Sequence, residues 1–167
     1  DWKNLLKLLP LLRKAKLITD DQAQKFEENI YLELLRAAAE NNAWLSDIQK
    51  IWETIPRRIQ NTPAVLHAYV VLLLPFPEMA DSIANLVSKA IKRSWDKELV
   101  KLYGSIETTN SKKQLAYAEG WFKQYGNQPE LLFTLGRLSA REQLWGQARH
   151  YYESSLKLQP AAEVYFG

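Results

Sequence analysis

The chain contains no cysteine. This excludes a disulfide framework, a thiolate metal site and a cysteine nucleophile, and leaves the compartment open. Histidine occurs only at positions 67 and 150 and methionine only at 79, too few ligand donors for a convincing zinc site. Glycine is scarce, 6 residues in 167, and no segment shows the sustained apolar/polar alternation of half-buried strands. The longest apolar run, AYVVLLLPF, is far below the about 20 residues of a membrane-spanning helix. The net charge of +3, from 22 Lys+Arg against 19 Asp+Glu, is interspersed and forms no basic stripe, which argues against a nucleic-acid-binding domain. Sequences of the types G-x-S-x-G, H-E-x-x-H, P-loop and G-x-G-x-x-G are missing. The adjacent pairs Asp20-Asp21 and Glu27-Glu28 make poor carboxylate dyads, because neighbouring helix residues do not face each other. No residue stands out as acid, base or nucleophile, so the expectation is a protein that is not an enzyme and carries no metal or cofactor.

What is present is helix-forming material. Leu, Ala, Lys, Glu and Gln are plentiful and 47% of the chain is hydrophobic, enough for one domain with a sizeable core. In LLFTLGRLSAREQLWGQARHYYESSLKLQP, Leu132, Leu135, Leu138 and Ser139 share one helical face. Trp145, Ala148, Tyr152, Ser155 and Leu156 share a second, with spacings of three and four that predict two amphipathic helices. Gln143-Leu144 predicts the turn between them, and Pro160 the end of the second. Gly136 inside the first helix costs about 1 kcal/mol against alanine, which points to close approach by a neighbouring group.

The same unit recurs. Val100/Tyr103 lie 32 residues before Leu132/Leu135, and Gly104 answers Gly136; Leu66/Tyr69 lie 34 earlier and Leu32/Leu35 a further 34. The second helices step likewise: Ala148/Tyr152/Ser155, then Gln114/Ala118/Trp121, Ile83/Val87/Ala90 and Ile48/Trp52/Ile55. Thr19 or Asp20 is an N-cap candidate, and Thr62-Pro63 and Pro129 mark further helix starts. LPFPE breaks the chain between a first and a second helix. Residues 1–18 read as one more second helix, kinked or divided by Pro10. A period near 34 with Leu-Gly, Ala, aromatic and Pro marks is the signature of tetratricopeptide (TPR) repeats. The final unit matches it best and the three earlier ones are degenerate, with Gly126 and Trp95 standing where a terminating proline would be expected. The expected fold is therefore all-α: a right-handed superhelical solenoid of TPR-like hairpins, about four repeats plus a leading helix, as one domain over residues 1–167. Asp1 stands where an initiator methionine would be, so the chain reads as a fragment of a longer protein.

The segments SWDKELVKLYG, QLAYAEGWFKQYGNQPELLFTLGRLSAREQLWGQARHYYESSLKLQP and AAEVYF closely resemble the C-terminal half of the bacterial HemY proteins. These are TPR-containing membrane proteins encoded with haem-biosynthesis genes, distinct from the flavin oxidase that shares the name. The resemblance runs from about Trp95 to Phe166, with a weaker likeness over Leu5 to Ala90. It implies N-terminal spans in the inner membrane of the full-length protein, followed by a TPR body linked to late haem or porphyrin steps, with no defined reaction and the membrane side open.

In a solenoid the first helices line a concave, partner-binding side. Phasing from the buried series places Glu33, Ala37, His67, Val71, Lys101, Ser105, Phe133, Arg137 and Arg141 there, although merely solvated positions would show the same pattern. The basic members favour a carboxylate-bearing partner. The expected function is a scaffold for protein partners, including haem-biosynthesis enzymes, through a groove built from His67, Lys101, Ser105, Phe133, Arg137 and Arg141. The alternative is a tetrapyrrole-binding or carrier domain, with His67 as an axial ligand; an ordinary, partly exposed histidine is the simpler reading. No nucleic acid is expected, membrane contact only through a missing N-terminal segment, and a homo-oligomer is an open possibility. Trp52, Trp121, Trp145, Tyr69, Tyr103 and Tyr152 read as core.

Overall fold

The computed structural model describes residues 1–159; Pro160 and the AAEVYF segment lie outside them. Among the described residues the chain is all-helical, without strands. It divides into two compact units, Asp1–Phe76 and a second beginning at Pro77.

The first unit holds α1 (Trp2–Lys14), α2 (Asp20–Glu40), α3 (Leu45–Thr54), α4 (Arg57–Gln60) and α5 (Pro63–Leu73). α1 runs unbroken through Pro10, so the proline does not divide it. Thr19 caps α2 in a reciprocal box: its hydroxyl accepts from the Gln22 N–H, and the Gln22 side chain accepts from the Thr19 N–H, satisfying two donors that a helix start leaves orphaned. Helix α3 stops at Ile55, one residue short of Pro56, as a residue before proline is disfavoured in helical conformation. α2 and α5, both first helices of the period, pack side by side, and α3 packs on both. Leu35, Ile48, Ile55, Leu66 and Tyr69 are buried and Leu32 is half-buried. Trp52 stacks flat on Tyr69 at 3.9 Å. At the rim, the Arg58 guanidinium grips both oxygens of Glu27 at 2.6 and 2.9 Å.

The second unit begins with a 3-10 turn (Pro77–Met79) and continues with α6 (Ala80–Arg93), α7 (Lys97–Ser105), α8 (Ser111–Tyr125), α9 (Pro129–Arg141) and α10 (Trp145–Leu158). Here too the two first helices, α7 and α9, lie against each other; α6 packs on α7, and α8 and α10 flank α9. Val100, Tyr103, Leu132, Leu135 and Leu138 form the interior, with Ile83, Val87, Ala118 and Trp121 from the second helices. Tyr103 meets Trp121 edge-on at 4.7 Å. Trp95 rests against Tyr125 at 4.2 Å. Gly126, at φ +72°, ends α8 in a conformation that L side chains rarely adopt.

The turn chemistry repeats between the units. After α2 and again after α9 the chain passes through one left-handed residue, Asn42 (φ 49°) and Gln143 (φ 60°). The next N–H then reaches back five residues, from Ala43 to the Ala38 carbonyl and from Leu144 to the Ser139 carbonyl. This is the Schellman closure. On α10 only Ala148 and Ser155 are buried. Trp145 and Leu156 are 67% and 62% exposed, so the expectation that they belong to the interior fails. That helix packs chiefly on α9 and touches α8 through Gln147–Glu119 and Tyr151–Phe122, so its buried stripe is narrower than the spacing suggested.

The expected close approach at Gly136 is present. A Cβ there would lie 2.8 Å from the Tyr152 ring. Gly136→Ala should therefore lower stability by about 1 kcal/mol, as overpacking outweighs the gain in helix propensity. In a Tyr152→Ala background the same change should raise it by about 1 kcal/mol. Urea denaturation of the four proteins checks both signs.

Candidate functional site

The face formed by α7 and α9 begins with a backbone contact. Gly104 has no side chain, and a Cβ there would sit 3.1 Å from the Thr134 methyl carbon. The two helices can thus come close enough for the buried Thr134 hydroxyl to donate to the Val100 carbonyl at 2.9 Å. This pairing satisfies a hydroxyl that would otherwise be costly to bury. It also fixes the register of the side chains further along. One turn on, Arg137 donates to the Ser105 hydroxyl at 2.8 Å. One more turn on, Arg141 donates to the carbonyls of Ile106 (2.8 Å) and Gly104 (3.0 Å) and to the Gln114 side-chain oxygen (3.3 Å).

The two arginines do different work. Arg141 is half-buried and its guanidinium is directed at carbonyls that the last turn of α7 leaves without intrahelical partners. Gln114, itself buried, donates to the carbonyls of Tyr103 and Ile106 at 2.9 Å each, so one amide and one guanidinium together cap α7. Burial, and secondarily the nearby Arg137 charge, lowers the Arg141 pKa, against an opposing pull from Glu107; a guanidinium remains charged at neutral pH regardless. Arg137 has a single neutral partner in Ser105 and lies 5.9 Å from the centre of the Phe133 ring, within cation–π range. Phe133 is 37% exposed and braced from behind by Tyr152 at 5.7 Å. Lys101 is exposed on α7 and forms no ion pair among the described residues.

The structure thus places Lys101, Ser105, Phe133, Arg137 and Arg141 on the paired helices of the second unit. Arg137 and Lys101 supply positive charge, Phe133 an apolar platform, and Arg141 the scaffold beneath. His67 is on α5 in the first unit, with Val71 one turn on and exposed; Glu33 and Ala37 lie on α2. Among the described residues no group of three His, Asp or Glu could hold a metal ion, and no helix is long and apolar enough to cross a membrane. The reading from sequence missed Thr134 and the capping role of Gln114. A threonine hydroxyl inside a helix gives no periodic signal, whereas Gly104 was the visible half of that contact.

Removing Arg141 should behave as a folding lesion. Arg141→Met should cost about 1–3 kcal/mol, because the Gly104 carbonyl loses its donor while Ile106 and Gln114 each lose one of two, while Arg137→Met and Lys101→Met should each stay within about 1 kcal/mol. Thermal and urea unfolding monitored by circular dichroism distinguishes these classes.

No family model matches the chain, and no solved structure matches it significantly. Among curated proteins it is similar to Protein HemY of Escherichia coli K12 and Protein HemY of Shigella flexneri, 22% identical to each over 165 residues, or 98% of this chain. The chain spans 41% of the length of those relatives. The likeness to HemY is therefore distant, and it extends over nearly the whole chain.

Proposed function

We propose that the chain is a TPR-like, non-enzymatic scaffold whose α7/α9 face docks a protein segment bearing carboxylates. The observation that carries this reading is the Arg137–Phe133 pair, a cation and an exposed ring positioned by a hydrogen-bonded helix contact, with the exposed Lys101 on the adjoining helix α7. Arginine suits carboxylates because its planar fork matches their geometry, and an exposed aromatic beside it adds apolar contact of the kind found at interaction hot spots. The repeated turn closures and the side-by-side first helices in each unit support the TPR-like reading. The whole-chain likeness to HemY supports a place near late haem or porphyrin biosynthesis at the bacterial inner membrane, reached through a membrane segment of the longer protein.

A second reading is a tetrapyrrole carrier. It is favoured by the same cations, which suit propionates, and by the Phe133 ring, which suits a flat macrocycle.

The test is site-specific photocrosslinking in cells, with the probe at Lys101 or Phe133 and a control probe at Lys123 on α8. The scaffold reading expects a discrete crosslinked protein from the first two positions that is lost with Arg137→Glu. Equal yields at all three positions, or insensitivity to Arg137→Glu, reject the site. Titration of the purified chain with haem or coproporphyrin decides the second reading. A saturable Soret change weakened by Arg137→Glu supports it, and its absence removes it.

A further inference from the structure

Away from the α7/α9 face, the second unit contains a cavity of about 450 Å³ between α6 and α8, floored by α7. Its walls are made by helical spacing. Asp81, Asn85 and Ser88 fall on one stripe of α6, and Lys113 and Tyr117 on the facing stripe of α8. Tyr103 reaches it from the floor. Nothing in the α7/α9 reading uses these side chains, and no sequence motif joins them.

The chemistry of the walls is unusual for a simple packing gap. Tyr103 is 3% exposed, and its ring is held against Trp121. Its hydroxyl has no hydrogen-bond partner among the described residues. The hydroxyl itself is not sealed off, since among the described residues Ser139 Oγ is the one enclosed side-chain atom without a partner; it opens into the cavity and is free to bond a ligand. Burial, with the neighbouring Tyr117 as a lesser cause, raises its pKa, so it presents an O–H donor throughout the physiological range. Opposite it, Asp81 accepts from the Thr109 N–H (2.9 Å) and the Thr109 hydroxyl (2.6 Å). Those bonds, with Lys113 nearby, hold the carboxyl below its usual range. It therefore stays ionised, with lone pairs to spare. Ser88 donates to the Asn85 carbonyl at 3.0 Å, which leaves its oxygen free to accept. Asn85 offers both functions, and Tyr117 exposes just over half of its ring and its own hydroxyl.

One carboxylate and one ammonium cancel, so the walls select neither anion nor cation. The alternation of single donors and acceptors, with an aromatic face at the rim, matches a ligand carrying many hydroxyls and an apolar C–H face. The volume is at the low end of small-molecule sites. We propose that this cavity binds a neutral saccharide of one or two rings. Tyr103 and Asp81 hydrogen-bond its hydroxyls from opposite sides, and Tyr117 packs on its C–H face.

The proposal is tested on the 167-residue chain by nitrogen-15 NMR titration with cellobiose, maltose and chitobiose, with sodium succinate and choline chloride as charged controls. The expected result is saturable shifts at Asn85, Lys113 and Tyr117 with at least one disaccharide. Affinity should fall about fivefold in Tyr103→Phe, as the loss of one hydrogen bond gives, and at least as much in Tyr117→Ala. Tyr103→Phe keeps the ring packing, and Tyr117 is exposed, so unchanged spectra away from the cavity will show that both variants remain folded. No saturable shift with any of the three sugars overturns the proposal. So does undiminished affinity in both variants, or an equal response to succinate or choline.

Discussion

The second unit depends on how closely α7 and α9 approach. Gly104 leaves room for Thr134, and the Thr134 hydroxyl closes on the Val100 carbonyl. A side chain at position 104 would push the helices apart; an apolar group at 134 would leave that contact without its hydrogen bond. With both in place, the interior residues Val100, Leu132 and Leu135 interlock, and the next two turns of α9 are aligned with the end of α7. The spacing of Arg137 and Arg141 to their acceptors is inherited from that one contact, about one helical turn at a time.

Much of this arrangement could be read from the residues alone. The recurrence of Leu66/Tyr69 and Leu132/Leu135 identified buried faces because apolar spacing near 3.6 is a strong physical signal. Gly136 declared a bulky neighbour because glycine inside a helix has a cost that something must offset, and Tyr152 is that neighbour. Ile55, grouped by its spacing with Ile48 and Trp52, stands just past the end of α3 because Pro56 follows it. Trp145 and Leu156 were misplaced for a related reason: periodicity reports which residues share a face, and the number of neighbours decides how wide a stripe is covered. Among the described residues, α10 packs extensively on α9 alone and meets α8 only at Gln147 and Tyr151.

The site was legible in outline and opaque in its division of labour. Spacing grouped Ser105 with Arg137 and Arg141, and those residues do share a face. It could not tell the arginine that reaches outward from the one that turns inward, because both have the same charge and lie four residues apart. The difference arises from carbonyls freed where α7 ends, a property of backbone geometry that no side-chain pattern announces. The cavity between α6 and α8 was invisible for another reason. Its members are ordinary surface residue types drawn from three helices, and only the tertiary arrangement makes them neighbours.

The capping of α7 has a consequence for the lineage of such chains. The helix end is closed by Gln114 from the segment that follows and by Arg141 from the unit after that. A hairpin that borrows its terminus from its successor is not an interchangeable cassette. Duplicating, deleting or shuffling it would strand carbonyls at one junction and an arginine at another. Divergence in this region is thus expected to proceed by substitution within a fixed order of units, with recombination confined to boundaries where no such loan is made.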